Sequence, residues 1–297
     1  MRLILTLCVI LISSVSFAKI NVYVSILPQK YFAQSIGQDR INIKVMVMPG
    51  ASPATYEPKP KQMVALSKTD IYFAIGSPFE KLWLSRFRSL NKELNIVHTD
   101  KGIKKRIIEN HVHHEDEDEE EIHDEHQTEE EVHYEHQTKD PHIWLDPILV
   151  IKQAKHIAKA LCEADPDGCS FYNANLASFT KKTLDLDNQL KQITSSAKGR
   201  YFMVFHPSWG YFANRYDLHQ IPVELEGKEP KPSDLKEFVE LTRRLKLKTI
   251  FIQPQFSRKA AVLIARETGA NVVAVDPLSE NWRANLIYAA ELITGSF

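Results

Sequence analysis

Short apolar runs alternate with segments of helical periodicity along most of the chain. Four of these runs lie within the first hundred residues and four more follow residue 200. Continuous apolar strands separated by helices are typical of parallel sheets whose two faces are both covered. The sequence therefore predicts an α/β protein with two parallel-sheet lobes, with strands in KINVYVSI, INIKVMVMP, DIYFAIG and LNIVHT, and in YFMVFH, QIPVELE, TIFIQPQ and NVVAVDP.

The segments between the strands have apolar residues at helical spacing. In two of them a serine stands where an N-cap is expected, Ser233 and Ser257. The longest segment, residues 171–197, contains no proline or glycine, and it predicts one helix that joins the lobes rigidly. The predicted domains are therefore an N-terminal lobe at residues 19–170, this linking helix, and a C-terminal lobe at residues 198–297.

An acidic segment rich in histidine interrupts the first lobe. Residues 111–136 contain 7 of the 12 histidines, 13 carboxylates and no lysine or arginine. Such a polar stretch buries too little apolar surface to offset the entropy of ordering it, so we predict a disordered loop at about residues 108–139. The chain's formal net charge of -1 leaves +12 for the remaining residues, but no dense Lys/Arg block suggests nucleic-acid binding.

The N-terminus resembles a secretory signal. Arg2 precedes an apolar stretch at residues 3–12, and Ser16 and Ala18 are the small residues expected before a cleavage site. We expect cleavage near Ala18, so that residues 1–18 are a signal peptide and the mature chain is extracytoplasmic. An uncleaved anchor is the alternative.

Two cysteines remain after that cleavage site. Cys162 and Cys169 enclose a short loop, CEADPDGC, and an oxidising compartment permits a disulfide between them. We predict this disulfide; free thiols or metal ligands are the alternatives.

Three candidate metal ligands lie at strand ends or in a loop with prolines. His206 ends YFMVFH, Asp276 ends the strand in NVVAVDP, and His142 lies in DPHIWLDP. Ligands of parallel α/β sheets bind beyond the carboxyl ends of strands. Two imidazoles and one carboxylate suit Zn²⁺ better than Ca²⁺ or Mg²⁺.

Several short motifs, in order, resemble the zinc-binding periplasmic proteins of ABC importers, the cluster A-I metal receptors. They are MPGASPATYEPKPKQM, the His/acid loop, DPHIWLDP, FHPSWGYFA, EGKEPKPSDL, FIQPQFS and VDPL. The resemblance implies two α/β lobes, a long joining helix and a metal site in the cleft between the lobes. It also implies that His142, His206 and Asp276 are ligands, and that a histidine at position 206 favours zinc over manganese.

The functional expectations follow from this resemblance. The chain is expected to capture Zn²⁺ in the periplasm as transported cargo and to deliver it to an ABC permease. We expect a monomer with no enzymatic activity. The histidines of the acidic loop would be accessory zinc ligands of lower affinity: His111, His113, His114, His123, His126, His133 and His136.

One position departs from the family pattern. The family has a histidine in a PHTYEP-like motif, and this chain has Ala54 in SPATYEP. The fourth ligand is then water, a loop histidine or another donor, with Glu57 a further candidate. Because three protein ligands and an open position are typical of catalytic zinc, a secreted zinc hydrolase is one alternative function. A metal-buffering adhesin of the same fold is another.

Overall fold

The computed structural model describes residues 19–108, 138–224 and 228–297. The predicted signal peptide and the seven histidines of the acidic segment lie outside these residues. No helix in the described part of the chain is long and apolar enough to cross a bilayer.

Each lobe contains a four-stranded, fully parallel sheet, as predicted. The N-terminal sheet has the order β2-β1-β3-β4 and the C-terminal sheet has the order β6-β5-β7-β8. The two sheets therefore have the same topology, with the strand order reversing between β1 and β3 and between β5 and β7. The strands are β1 Ile20–Val24, β2 Ile41–Val45, β3 Ile71–Ala74, β4 Asn95–His98, β5 Tyr201–Val204, β6 His219–Pro222, β7 Thr249–Ile252 and β8 Asn271–Ala274.

Helices connect and cover these strands. Proline stands in the first turn of several of them, where the missing N–H breaks no helical hydrogen bond. The helices are α1 Leu27–Gly37, α2 Pro60–Leu66, α3 Pro78–Leu90, α4 Pro147–Ala164, α5 Cys169–Ile193, α6 Gly210–Arg215, α7 Pro232–Arg244, α8 Lys259–Thr268 and α9 Trp282–Gly295.

The predicted N-caps differ from the observed ones. Ser233 lies inside α7, whose N-cap is Lys231, and the Lys231 N–H donates to the Asp234 carboxylate at 2.7 Å. The N-cap of α8 is Arg258, although the Ser257 hydroxyl accepts a hydrogen bond from the first helical N–H at 3.3 Å. The predicted caps are therefore wrong by two residues in α7, where Pro232 begins the helix and Asp234 accepts the N-cap N–H, and by one residue in α8.

The long helix α5 joins the lobes, as predicted, and begins two residues earlier than expected. Its 25 residues span about 37 Å at the usual rise of an α-helix. Arg215 of α6 donates two hydrogen bonds, of 2.6 and 2.7 Å, to Asp187 of α5. The predicted disulfide between Cys162 and Cys169 is present at the corner between α4 and α5.

The last helix, α9, follows the C-terminal sheet but packs elsewhere. The ring of its first residue, Trp282, contacts Tyr31 and Phe32 of α1 at centroid distances of 6.0 and 5.1 Å. Phe179 of α5 contacts the same two α1 rings. One apolar core therefore extends from the N-terminal sheet through α5 and α9 to one face of the C-terminal sheet. A second, smaller core lies on the other face under α7 and α8.

The residues that flank the acidic segment on its two sides pair with each other through their backbones. Ile107 and Lys139 form an antiparallel bridge, and the Ile108 N–H donates to the Thr138 carbonyl at 2.9 Å. Two described residues at the approximate limits of the predicted loop, 108 and 139, therefore have backbone partners, at 138 and 107. The remainder of the predicted loop lies outside the described residues.

Candidate metal site between the lobes

The carboxyl ends of the C-terminal strands position most of the polar side chains of the site. His206 lies two residues after β5, Glu224 two residues after β6, and Asp276 two residues after β8. Gln255 follows β7. Because parallel strands end at one edge of the sheet, these four side chains are grouped by the topology alone.

His142 reaches the cleft from the segment that precedes α4. Its ring is nearly buried, and its Nδ1 lies 2.7 Å from Asp140 Oδ1. The same carboxylate oxygen accepts the His142 backbone N–H at 2.9 Å, so the ring is fixed relative to its own backbone. A carboxylate on Nδ1 leaves Nε2 as the nitrogen that binds metal.

His206 is held in the same way from the opposite lobe. Its Nδ1 lies 2.9 Å from Glu224 Oε2, and its ring stacks on Phe256 with centroids 4.3 Å apart. Burial lowers the pKa of His206 below its ordinary value, and the hydrogen bond that its ring donates to Glu224 opposes that shift only in part. The imidazole is therefore neutral at neutral pH, which is the form that coordinates metal.

The two histidines lie close together, and the predicted carboxylate does not join them. The ring centroids of His142 and His206 are 5.3 Å apart. Asp276 instead accepts hydrogen bonds from Gln255 Nε2 at 2.7 Å and from the Leu278 N–H at 2.9 Å. Within residues 19–108, 138–224 and 228–297, no three His, Cys, Asp or Glu side chains are grouped closely enough to hold a metal ion.

A cleft of about 640 Å³ opens in front of the two histidines. Ala54, Glu224 and Gln255 line it with them, and so do Pro277 and Leu278, which follow Asp276. Glu57 is exposed and is not among the lining residues. Ala54 therefore faces the site, as its motif predicts, but contributes only a methyl group.

Sequence reasoning missed the partners of the histidines. Asp140 stands two residues before His142 in DPHIWLDP, so the sequence alone could have predicted that the two side chains lie close together. Glu224 is 18 residues from His206 in sequence, and only the pairing of β5 with β6 brings the two together. The strand-end position of Glu224 was the available signal for that contact.

The histidines without a motif lie outside the cleft. His219 begins β6 and stacks on Tyr201, with ring centroids 4.8 Å apart. His156 Nε2 lies 3.0 Å from the Lys101 carbonyl oxygen. Neither residue lines the cleft.

Comparison with known sequences matches the chain to curated zinc proteins. It is 29% identical over 264 residues to the high-affinity zinc uptake system protein ZnuA of Bacillus subtilis, covering 88% of this chain and 79% of that one. It is 26% identical over 264 residues to the zinc-binding protein AdcA of Streptococcus pyogenes. The chain spans about half the length of that second relative.

Comparison of folds gives the same relationship, and a family model covers nearly the whole chain. A crystal structure of ZnuA superposes with a TM-score of 0.82 and 38% identity, covering 94% of this chain and 99% of that one. The model of the family described as "Zinc-uptake complex component A periplasmic" matches residues 22–290. With the same two-lobed architecture and a histidine-lined cleft, this chain belongs to the periplasmic zinc-uptake component A family.

Proposed function

We propose that the mature chain captures Zn²⁺ outside the cytoplasmic membrane and delivers it to an ABC permease. The observation that carries this proposal is the pairing of His142 and His206 across the cleft, 5.3 Å apart, each with Nδ1 against a carboxylate. This arrangement fixes both imidazoles with Nε2 available and is the usual support for histidines that bind zinc.

Asp276 is the proposed third ligand. It lies at the end of the adjacent strand β8, and the two residues after it line the cleft. Its carboxylate is held by Gln255 through one oxygen, Oδ1, so Oδ2 is the oxygen proposed to bind zinc. Binding would then draw the Asp276 loop toward His142 and His206.

The acidic segment is proposed to collect zinc at low affinity and to pass it to the cleft. The described residues on either side of it, Ile108 and Thr138, both line the cleft. Its histidines supply neutral donors, and its carboxylates attract cations. We further propose a monomeric, periplasmic receptor that begins after Ala18.

A competitive zinc titration of the mature protein tests the function. His142→Ala is expected to weaken the tightest zinc site at least about tenfold, as loss of a metal ligand or its support does. His219→Ala is the matched control, since His219 lies outside the cleft, and it should bind as the wild type does. Equal affinities of the two variants would contradict the proposal.

The proposed receptor performs no catalysis. Ala54 in the cleft wall is the feature that suggested a hydrolase, because it leaves a zinc position open. An assay of zinc-dependent hydrolysis with ester, amide and phosphate substrates measures this directly. Turnover that disappears in His142→Ala would replace the receptor proposal with an enzyme.

A further inference from the structure

The cleft is far larger than a zinc ion requires. Its volume is about 640 Å³, whereas one water molecule accounts for about 30 Å³ of liquid volume. Pockets that hold small organic molecules measure about 300–1,000 Å³ and combine an apolar lining with a few polar groups. Ala54, Pro78, Phe256 and Leu278 give this cleft such a lining.

The protein donors also leave the coordination of zinc incomplete. His142, His206 and Asp276 supply three donors, and zinc takes four or, at open sites, five. Ala54 lines the cleft but carries no donor atom. Water or a further donor must fill the remaining positions.

Two polar atoms at the cleft wall lack a partner within the described residues. They are the hydroxyl oxygen of Ser77 and the side-chain oxygen Oε1 of Gln255, and both atoms are buried. Ser77 itself is fully buried, and both residues line the cleft. Buried polar atoms are almost always paired, so an unpaired hydroxyl and an unpaired amide oxygen in one cleft point to a polar ligand.

We propose that the cleft binds zinc together with a small chelating amino acid, a refinement that rests on the proposed receptor function. The chelator's amino nitrogen and one carboxylate oxygen bind the zinc, and two water molecules leave the metal. The amino group gives up one proton to solvent before it coordinates. Its remaining N–H groups are donors for Gln255 Oε1, the free carboxylate oxygen is an acceptor for the Ser77 hydroxyl, and the apolar wall receives the side chain.

Zinc titration at clamped free Zn²⁺, with L-histidine as the probe, tests this inference. The zinc occupancy of the mature protein is measured in a series of metal buffers, each of which holds free zinc at a set concentration. The series is repeated at several concentrations of L-histidine. We expect the apparent zinc affinity to rise about tenfold with L-histidine, equivalent to about 1.4 kcal/mol. Imidazole is the control, because it offers one donor and no chelate. An equal rise with imidazole, or no rise with L-histidine, overturns the inference.

Two variants sharpen the test. Ala54→His fills part of the cleft and supplies a protein donor, so it should bind zinc more tightly alone and lose its response to L-histidine. Ser77→Ala should keep the affinity for zinc alone and reduce the response to L-histidine about threefold, as expected for one lost hydrogen bond. Thermal unfolding of each variant confirms that it is folded. An Ala54→His protein that still responds to L-histidine as the wild type does contradicts the proposed ligand position.

The outcomes separate this inference from the receptor function. Tight zinc binding that ignores L-histidine and is lost when residues 111–136 are deleted assigns the missing donor to that segment. That result overturns the chelate inference and leaves the receptor function intact. Absence of zinc binding with and without L-histidine overturns both.

Discussion

The two lobes have the same sheet but different chemistry at its edge. Val24 ends β1 and pairs with Val45 of β2, and Val204 ends β5 and pairs with Pro222 of β6. The third strands also match, since Val24 pairs with Phe73 and Val204 with Phe251. Positions in the two sheets can therefore be equated residue by residue.

The equated positions show what distinguishes a binding edge from a structural one. His206 corresponds to Ile26, which is fully buried, and Glu224 corresponds to Val47, also buried. Asp276 corresponds to Asp100, because each lies two residues after the end of the fourth strand. Two of the three backbone positions thus hold polar side chains that line the cleft in one lobe and core side chains in the other.

In the N-terminal lobe two carboxylates at the edge have partners within the lobe. Asp100 forms an ion pair with Lys105 at 2.7 Å. Glu80 is buried and accepts backbone N–H groups of the turn after β3, at 2.7 Å from Gly76 and 3.2 Å from Ser77, and it also accepts the Ser25 hydroxyl. These contacts hold both carboxylates within the N-terminal lobe, whereas His206 and Glu224 of the C-terminal edge line the cleft. A topology that groups side chains is therefore not sufficient for a site.

The largest contrast in zinc affinity is expected between variants of His206 and of Ile26, which occupy corresponding positions. His206→Ala should weaken zinc binding at least about tenfold, because a proposed ligand is lost. Ile26→Ala should lower the free energy of unfolding by about 2–5 kcal/mol, as a buried cavity does, and leave the zinc affinity of the folded protein unchanged. Competitive titration and denaturant unfolding measure the two effects. A comparable loss of zinc affinity in both variants would show that the two positions do not differ in function.

A smaller contrast is expected between Glu224 and Val47. Glu224→Gln keeps a hydrogen-bond acceptor for His206 but removes the charge, so zinc affinity should fall about fivefold, below the range for complete loss of such a partner. Val47→Ala should alter stability without altering zinc affinity. If Glu224→Gln binds zinc as the wild type does, the carboxylate has no supporting role.

The buried Glu80 should make the N-terminal lobe sensitive to pH. Burial raises the pKa of Glu80 above its ordinary value, and hydrogen bonds from the Ser25 hydroxyl and the Ile75 and Gly76 backbone oppose this shift. As pH rises, Glu80 loses its proton at a lower pH in the unfolded chain than in the folded one. The contribution of Glu80 to the free energy of unfolding is therefore fully present below pH 4.5. It declines as pH rises through the pKa of Glu80 in the folded chain. Glu80→Gln should reduce this decline, as measured by unfolding at several pH values. An unchanged profile would show that Glu80 does not titrate as described.

The smallest effect is expected from the ion pair of Asp100. Lys105→Met removes its partner, and the loss should be about 0.5–1 kcal/mol because both groups retain some solvent contact. The free energy of unfolding measures it, with zinc affinity as the internal control. A change in zinc affinity instead would show that the two edges are coupled.

The architecture and the two histidines were predictable from sequence, and the rest of the site was not. The short apolar runs and the helical periodicity between them predict parallel strands, and the motifs around His142 and His206 predict that both residues lie in the cleft. The position of Asp276 at a strand end was also readable, but its hydrogen bond to Gln255 depends on side-chain packing from a neighbouring strand. Glu224 was missed because only strand pairing, which has no signature in a single sequence, brings it to His206.

The packing of α9 has a consequence for how the chain acquires its structure. Trp282 donates its indole N–H to the Trp144 carbonyl at 2.7 Å, and Trp144 donates its own to the Pro277 carbonyl at 2.7 Å. A fragment of residues 198–297 would leave the apolar face of α9 uncovered, and a fragment of residues 19–197 would leave the rings of α1 without Trp282. The lobes repeat one topology but share this core, so we expect that neither half folds completely without the other and that the chain unfolds in one cooperative transition.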